Sequence, residues 1–486
     1  MAKLRAPKSH RKKSRPGKGA RLRLSPGARN PDGTEARLSR DAEAKLLWAA
    51  WKARQIVRDS AILQSLHRSD QRSTPPRYAP DGTLTGRAAT PARIQEQVEE
   101  FCSLALTDPS LQAKLRAPDD SDRFIALVVK LARDHGFDVD ARAVRAAMVP
   151  GIECLTDSAM SETPLPPSDC LPIRANWLGD QLHVRWSYFG KLRLREPFFE
   201  GSVHRCFLKP FNRLFGYSTP ISRVADWLTA HPGLPPRGLI FHMSRCGSTL
   251  VSRMLAASDR NLVVSEASPI DAVVRAKDIR PDLPDDQQAQ WLTSIITALG
   301  QPRCRERNFF IKMVSSHSLA LPLFRRTFPS VPWVFLYRDP VEVLVSQLHS
   351  PSNQVTTAPA ENLAGLGGKN RTEAPPESIA RALAKLCSSA ARHYREGGGL
   401  LVNYRELPDA LWSRILPHFG VSCSKSDRAA MAAVARYDAK APSFVFAPDV
   451  EGKQQAATAS NRAVASKHLG EVYRRLEALR QSQILA

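Results

Sequence analysis

The chain has 486 residues, 43% of them hydrophobic, which allows two or three domains and at least one large core. Its formal net charge is +23, and thirteen Lys/Arg against only Asp32 and Glu35 fall in the first forty residues. No apolar run approaches the roughly eighteen residues of a membrane helix, and the N-terminus lacks the apolar core of a secretory signal. Eight scattered cysteines without a Cys-x-x-Cys fit neither a zinc site nor a disulfide framework, so a reducing cytoplasm is expected.

Residues 1–40 combine this charge with Gly, Pro and Ser, and are expected to be a disordered tail. Such a tail suits non-specific contact with a polyanion (nucleic acid, an acidic membrane surface or an acidic protein), or simply keeps the chain soluble. Within 41–92, the stretch 41–67 reads as a helix carrying Leu47, Trp48 and Trp51, and 68–92 as a linker marked by Thr74-Pro75-Pro76 and Asp81-Gly82.

Residues 93–150 read as a small all-α domain. Val98, Phe101, Cys102 and Leu106 share a helix face; Asp108-Pro109 opens a second helix; Phe124, Leu127, Val128 and Leu131 mark a third, ended by His135-Gly136. A fourth follows Asp140. Over about fifty residues this string, with its "DPSLQAKL" turn and later "GF", resembles the leader domain of nitrogen-fixation-associated peptide precursors. In those precursors the leader ends at a double glycine; here Val149-Pro150-Gly151 follows. The resemblance therefore implies a retained docking or regulatory unit for a peptide or protein partner.

Residues 151–234 are expected to be linker, over 155–175, and then a β-hairpin. Leu182, Val184, Trp186 and Tyr188 alternate with Arg185 and Ser187, and Phe189-Gly190-Lys191 reads as the turn into Leu192–Arg195. From 235 to 486, apolar runs at 238–243, 261–265, 308–313, 332–337 and 399–404 alternate with helical patterns. That alternation predicts an α/β domain, a parallel sheet flanked by helices.

Two segments carry chemistry. Leu239–Met243 is a strand, Ser244-Arg245-Cys246-Gly247-Ser248-Thr249 a turn, and Leu250 onward a helix. Strand, glycine turn and helix N-terminus present N–H groups and a positive dipole end to an anion, with Arg245, Ser248 and Thr249 as further donors. The Lys of a Walker A loop is missing, which disfavours a P-loop kinase. Val334–Tyr337 is a second strand, ending in Arg338-Asp339-Pro340, with Ser346 eight residues beyond Arg338.

"FHMSRCGSTLVSRML" and "RDPVEVLVSQ" together resemble the sulfotransferases, in the tyrosylprotein and carbohydrate form whose loop carries arginine. The resemblance covers about half of the chain and implies a P-loop NTPase-like sheet. It also implies 3′-phosphoadenosine 5′-phosphosulfate as co-substrate, no metal, and a hydroxyl acceptor that is a small molecule, carbohydrate or peptide. It assigns Arg245, Cys246, Gly247, Ser248 and Thr249 to the 5′-phosphosulfate and Arg338 and Ser346 to the 3′-phosphate. Lys312, at the end of "NFFIK", would support the leaving phosphate beside Arg245, and Glu266, closing "NLVVSE", would be the base. His317 is the rival base; Tyr404 is expected to pack, and Gly452-Lys453 or Arg462 to close over the nucleotide. A non-catalytic binding or regulatory protein on the same fold is the alternative.

Overall fold

The structure, a computed structural model, describes residues 91–148, 164–349, 376–440, 445–446 and 449–485. The basic tail, the 41–67 helix, most of the 68–92 linker and the 350–375 loop lie outside the described residues.

Four helices come first: α1 (Pro91–Thr107), α2 (Pro109–Arg116), α3 (Ser121–Asp134) and α4 (Ala141–Met148). Asp108 caps α2 by accepting from the N–H groups of Ser110 and Leu111, and Asp120 caps α3 in the same way through Asp122 and Arg123. Gly136, at φ 85°, ends α3 in the left-handed conformation that suits glycine. The shared faces bury Val98, Phe101, Leu115, Phe124 and Val128 completely. That core does not close on itself. Phe211, Leu214 and Phe215 from later in the chain complete it, with Phe215 edge-on to Phe124 at 6.4 Å. Arg116 lies over the rings of Tyr188 and Phe211, at 5.1 and 5.6 Å.

A three-stranded antiparallel sheet follows, in the order β1 (Cys170–Leu178), β2 (Gln181–Tyr188), β3 (Tyr217–Pro220). It corrects two expectations. Residues 170–175 belong to a strand rather than a linker: Pro172 sits beside a register shift, where its missing N–H is tolerated, and Leu171 and Ile173 are buried. The hairpin turn is Gly179-Asp180, not 189–191, and β3 takes the other edge of β2. After Tyr188 the chain turns away at Gly190 (φ 53°), and 192–195 pairs with nothing in the sheet. Arg185 and Ser187 are buried as well as Val184 and Trp186, because both faces of β2 are covered.

After α5 (Phe199–Cys206) comes the main sheet: β4 (Pro236–His242), β5 (Asn261–Ser265), β6 (Asn308–Lys312), β7 (Trp333–Tyr337) and β8 (Gly399–Asn403). Its order is β5-β6-β4-β7-β8 and every pairing is parallel. Runs such as Trp333–Tyr337 are apolar throughout because helices cover both faces of such a sheet. The flanking helices include α6 (Ser248–Ala257), α7 (Ser268–Val274), α8 (Asp285–Leu299), α9 (Pro340–His349), α10 (Pro376–His393), α11 (Lys425–Val434), α12 (Val450–Ala456) and α13 (Ala459–Leu485). Edge strand β8 is protected by α13: Gln483 accepts from Leu401 N–H and donates to the Gly399 carbonyl. From β4 the chain runs to one side of the sheet and from β7 to the other. In open parallel sheets the crevice at such a reversal, outside the strands' carboxyl ends, is where ligands bind.

Candidate functional site

The turn after β4 is held in costly backbone geometry. Ser244 and Arg245 have φ 76° and 52°, and Gly247 has φ 83°. His242, fully buried at the strand end, anchors the turn: its Nδ1 accepts from Ser244 N–H (3.0 Å) and its Nε2–H donates to the Met313 carbonyl after β6 (2.9 Å). Burial, reinforced by Lys312, takes its pKa down to about 3, so the ring is neutral and both contacts fit one tautomer. Gln347 of α9 donates to Ser244 Oγ (2.9 Å), and Cys246 Sγ–H points at the Leu336 carbonyl (3.1 Å). Gly247 lies against neighbouring side chains: a Cβ there would come within 2.7 Å of Leu407 and 2.9 Å of Tyr404. The turn delivers Ser248 and Thr249 to the first turn of α6, where N–H groups are unpaired within the helix.

Four further strand ends contribute. Glu266 follows β5 at φ 57°, and its N–H donates to the Lys312 carbonyl (2.8 Å). Its carboxylate makes a buried ion pair with Lys312 at the end of β6, and lies 3.7 Å from His242 Nε2. The Lys312 ammonium also stands over the Phe198 ring at 5.0 Å. Arg338 follows β7 and Tyr404 follows β8; the guanidinium stacks on the Tyr404 ring at 4.0 Å. Along the sheet edge the order is therefore Glu266, Lys312, the 244–249 turn, Arg338, Tyr404.

These side chains wall one cavity of about 390 Å³. Glu266, Lys312, Arg245, Cys246, Gly247, Ser248, Thr249, Arg338 and Ser346 all line it. His317 does not: it is buried beside α7, with Nε2 against Asp271 Oδ1 at 3.0 Å. Burial raises the Asp271 pKa, but the His317 contact outweighs it and the net shift is downward. Arg462 is likewise outside the wall and bonds Gln454, whereas Lys453 is in it.

Arg338 is engaged. Its Nε donates to Glu342 (2.5 Å) and a terminal nitrogen to Asp449 (2.7 Å), which also pairs with Lys453. Burial would depress the guanidinium's pKa; its hydrogen bonds to Asp449 and Glu342 reverse that, and the net shift is upward. Asp449 was not foreseen from sequence, nor were His242, Phe198, Tyr437, Lys440 or Phe446, which also line the cavity. A carboxylate opening a helix reads as ordinary capping, and a polar residue at a strand end breaks no pattern. Among the described residues no group of three or more His, Cys, Asp and Glu is placed to hold a metal, and no helix is long and apolar enough to cross a membrane.

Among solved structures the chain is similar to a sulfotransferase from Alicyclobacillus acidocaldarius, at 14% identity and TM-score 0.32, over 51% of this chain and 96% of that one. The sulfotransferase domain of the Synechococcus PCC 7002 olefin synthase is 17% identical at TM-score 0.30, over 51% and 96%. Sulfotransferase STF9 from Mycobacterium avium is 14% identical at TM-score 0.29, over 48% and 79%. Likenesses of this size carry no argument about reaction or substrate. No curated protein matches the chain. The helical unit is different: residues 95–142 match the Nif11 domain family, in the stretch whose sequence resembles the nitrogen-fixation-associated leader domain.

Proposed function

We propose that the chain is a sulfotransferase that moves a sulfuryl group from 3′-phosphoadenosine 5′-phosphosulfate to a hydroxyl acceptor. The observation that carries this reading is the joining of two cationic seats, the Arg245 turn and Arg338, in one cavity with a carboxylate–ammonium pair beside them. The two seats leave neighbouring strands, about 5 Å apart. That spacing suits two phosphates carried on one ribose.

In this reading the turn and the α6 N-terminus take the 5′-phosphosulfate, and Arg338 with Ser346 takes the 3′-phosphate. The acceptor oxygen forms a bond to sulfur as the bond from sulfur to the bridging oxygen breaks. The electron pair stays on the 5′-phosphate of the departing adenosine 3′,5′-bisphosphate. Lys312 and Arg245 neutralise the charge building there. Glu266 takes the acceptor's proton, which requires Lys312 to exchange its carboxylate partner for the donor; nucleotide binding thereby frees the base. The Nif11-like unit, packed on the segment around Phe211, would present a peptide or partner to this body. Incubating the protein with the donor and a metabolite or peptide extract should yield sulfated products by mass spectrometry, and Glu266→Gln should yield none. An extract left unchanged by the wild-type protein counts against transfer.

One observation favours a non-catalytic binding protein instead: Asp449 already holds Arg338. If Asp449 is only a displaceable stand-in for phosphate, Asp449→Asn should bind adenosine 3′,5′-bisphosphate more tightly, by about tenfold. Unchanged or weaker binding supports the non-catalytic reading.

A further inference from the structure

Five cationic side chains reach the cavity, and four of them, Arg245, Lys312, Arg338 and Lys453, stand out in the sequence or in the strand-end geometry. The fifth, Lys440, was foreseen by neither. It lies just beyond α11, in Tyr437-Asp438-Ala439-Lys440, all of which line the cavity. One contact shapes the segment's own turn and two fasten it. Lys440 N–H donates to Asp438 Oδ1 (2.8 Å), Arg253 of α6 donates to the Asp438 carbonyl (3.1 Å), and Tyr437 forms an isolated bridge with Val445. The helix whose N-terminus shapes the anion turn thus also holds the segment that carries Lys440.

The charged and titratable groups that act on the Lys440 ammonium are Arg245 and Cys246 of the turn, Lys312 of β6 and Glu266 after β5. His242 of β4 feels it in return, and Asp438 is the acid on its own segment. Lys440 therefore belongs to the Arg245 end. Among the described residues its ammonium makes no ion pair or hydrogen bond, and the carboxylate nearest in function, Glu266, is held by Lys312. Lys440, exposed on the cavity wall, faces two other cations, and an anion seated among the three relieves their repulsion.

We propose that Lys440 is a third cation for the sulfuryl-bearing end of the donor, gripping the 5′-phosphosulfate together with Arg245 and Lys312. This rests on the sulfotransferase reading and adds to it a residue brought in by the segment after α11 rather than by a strand end. Partial desolvation in the cavity, with repulsion from Arg245 and Lys312, lowers the Lys440 pKa to about 8 in the free protein. A bound anion restores the charged form, so binding takes up a proton at pH above about 8, and affinity falls as pH rises through that value. Phosphate groups, whose second pKa is about 6, are fully charged across this window.

The test is calorimetric titration of the full chain with adenosine 3′,5′-bisphosphate and, separately, adenosine 3′-monophosphate, at pH 7.5 and 9.5, chosen to lie about half a unit below and about one and a half units above that pKa. Lys440→Gln should weaken the bisphosphate by about tenfold at the lower pH and leave the 3′-monophosphate unchanged. It should also abolish the loss of affinity at the higher pH, while Lys440→Arg retains affinity at both. Equal weakening of the two nucleotides by Lys440→Gln, or no weakening of either, overturns the assignment while the sulfotransferase reading stands. A wild-type protein that binds neither nucleotide removes both. Thermal unfolding of each variant separates lost binding from lost folding.

Discussion

The helical unit and the cavity edge were built by opposite means. In α1–α4 the helix ends and faces are set by residues a few positions apart, although Phe211, Leu214 and Phe215 complete the core: Asp108 caps its own helix, Gly136 ends another, and Val98 and Phe101 share one face. At the cavity, no two functional groups on different strands are neighbours in the chain, and Glu266 meets Lys312 across 46 residues. Local rules shape the first region; strand order shapes the second. The first should therefore respond to substitution through stability, and the second through binding and rate.

The largest effect expected is on rate. Glu266→Gln should lower transfer by about a hundredfold to ten-thousandfold while bisphosphate binding survives; retained turnover would remove Glu266 as the base. Next, Phe124→Ala empties a fully buried position that touches Phe215, and should cost about 3–5 kcal/mol of stability, measured by denaturant unfolding. Bisphosphate affinity should change by less than about twofold, because the sites are separate. A parallel fall in affinity would break the contrast and show that the helical unit supports the cavity through Phe211 and Phe215.

Gly247→Ala sharpens the other side. Its φ of 83° and the nearness of Leu407 and Tyr404 leave no room for a methyl group, so the turn must shift. A strain of about 1–3 kcal/mol should emerge as weaker bisphosphate binding by about tenfold. Unaltered binding would mean that the turn does not hold the ligand. The smallest effect is Asp108→Ala, where loss of the α2 cap should cost about 1 kcal/mol in thermal unfolding with no change in binding.

The same contrast explains what was legible in the sequence. Each of the five parallel strands was readable to within two residues, because buried parallel strands are unbroken apolar runs such as Trp333–Tyr337. β1 was not, since Pro172 and the adjoining register shift interrupt its alternation. Glu266, Lys312 and Arg338 stand at the ends of apolar runs and Arg245 in the glycine turn after one, and the resemblance of those segments to sulfotransferases let them be named. Lys440 and Asp449 close none. They reach the cavity through a bridge between Tyr437 and Val445 and through the start of α12, and neither contact leaves a periodic trace. His242 is hidden differently: it lies within a strand, and only the turn that it holds reveals why a histidine is there.

The central claim is that a single doubly phosphorylated nucleotide spans the Arg245 and Arg338 seats. Its most direct test is the affinity of adenosine 3′,5′-bisphosphate against the 3′- and 5′-monophosphates, measured by calorimetry on wild type, Arg245→Ala and Arg338→Ala. The account predicts that the bisphosphate binds most tightly, that Arg245→Ala brings it down to the level of the 3′-monophosphate, and that Arg338→Ala brings it down to the 5′-monophosphate. A bisphosphate that binds no better than either monophosphate, or that ignores one of the two arginines, contradicts it.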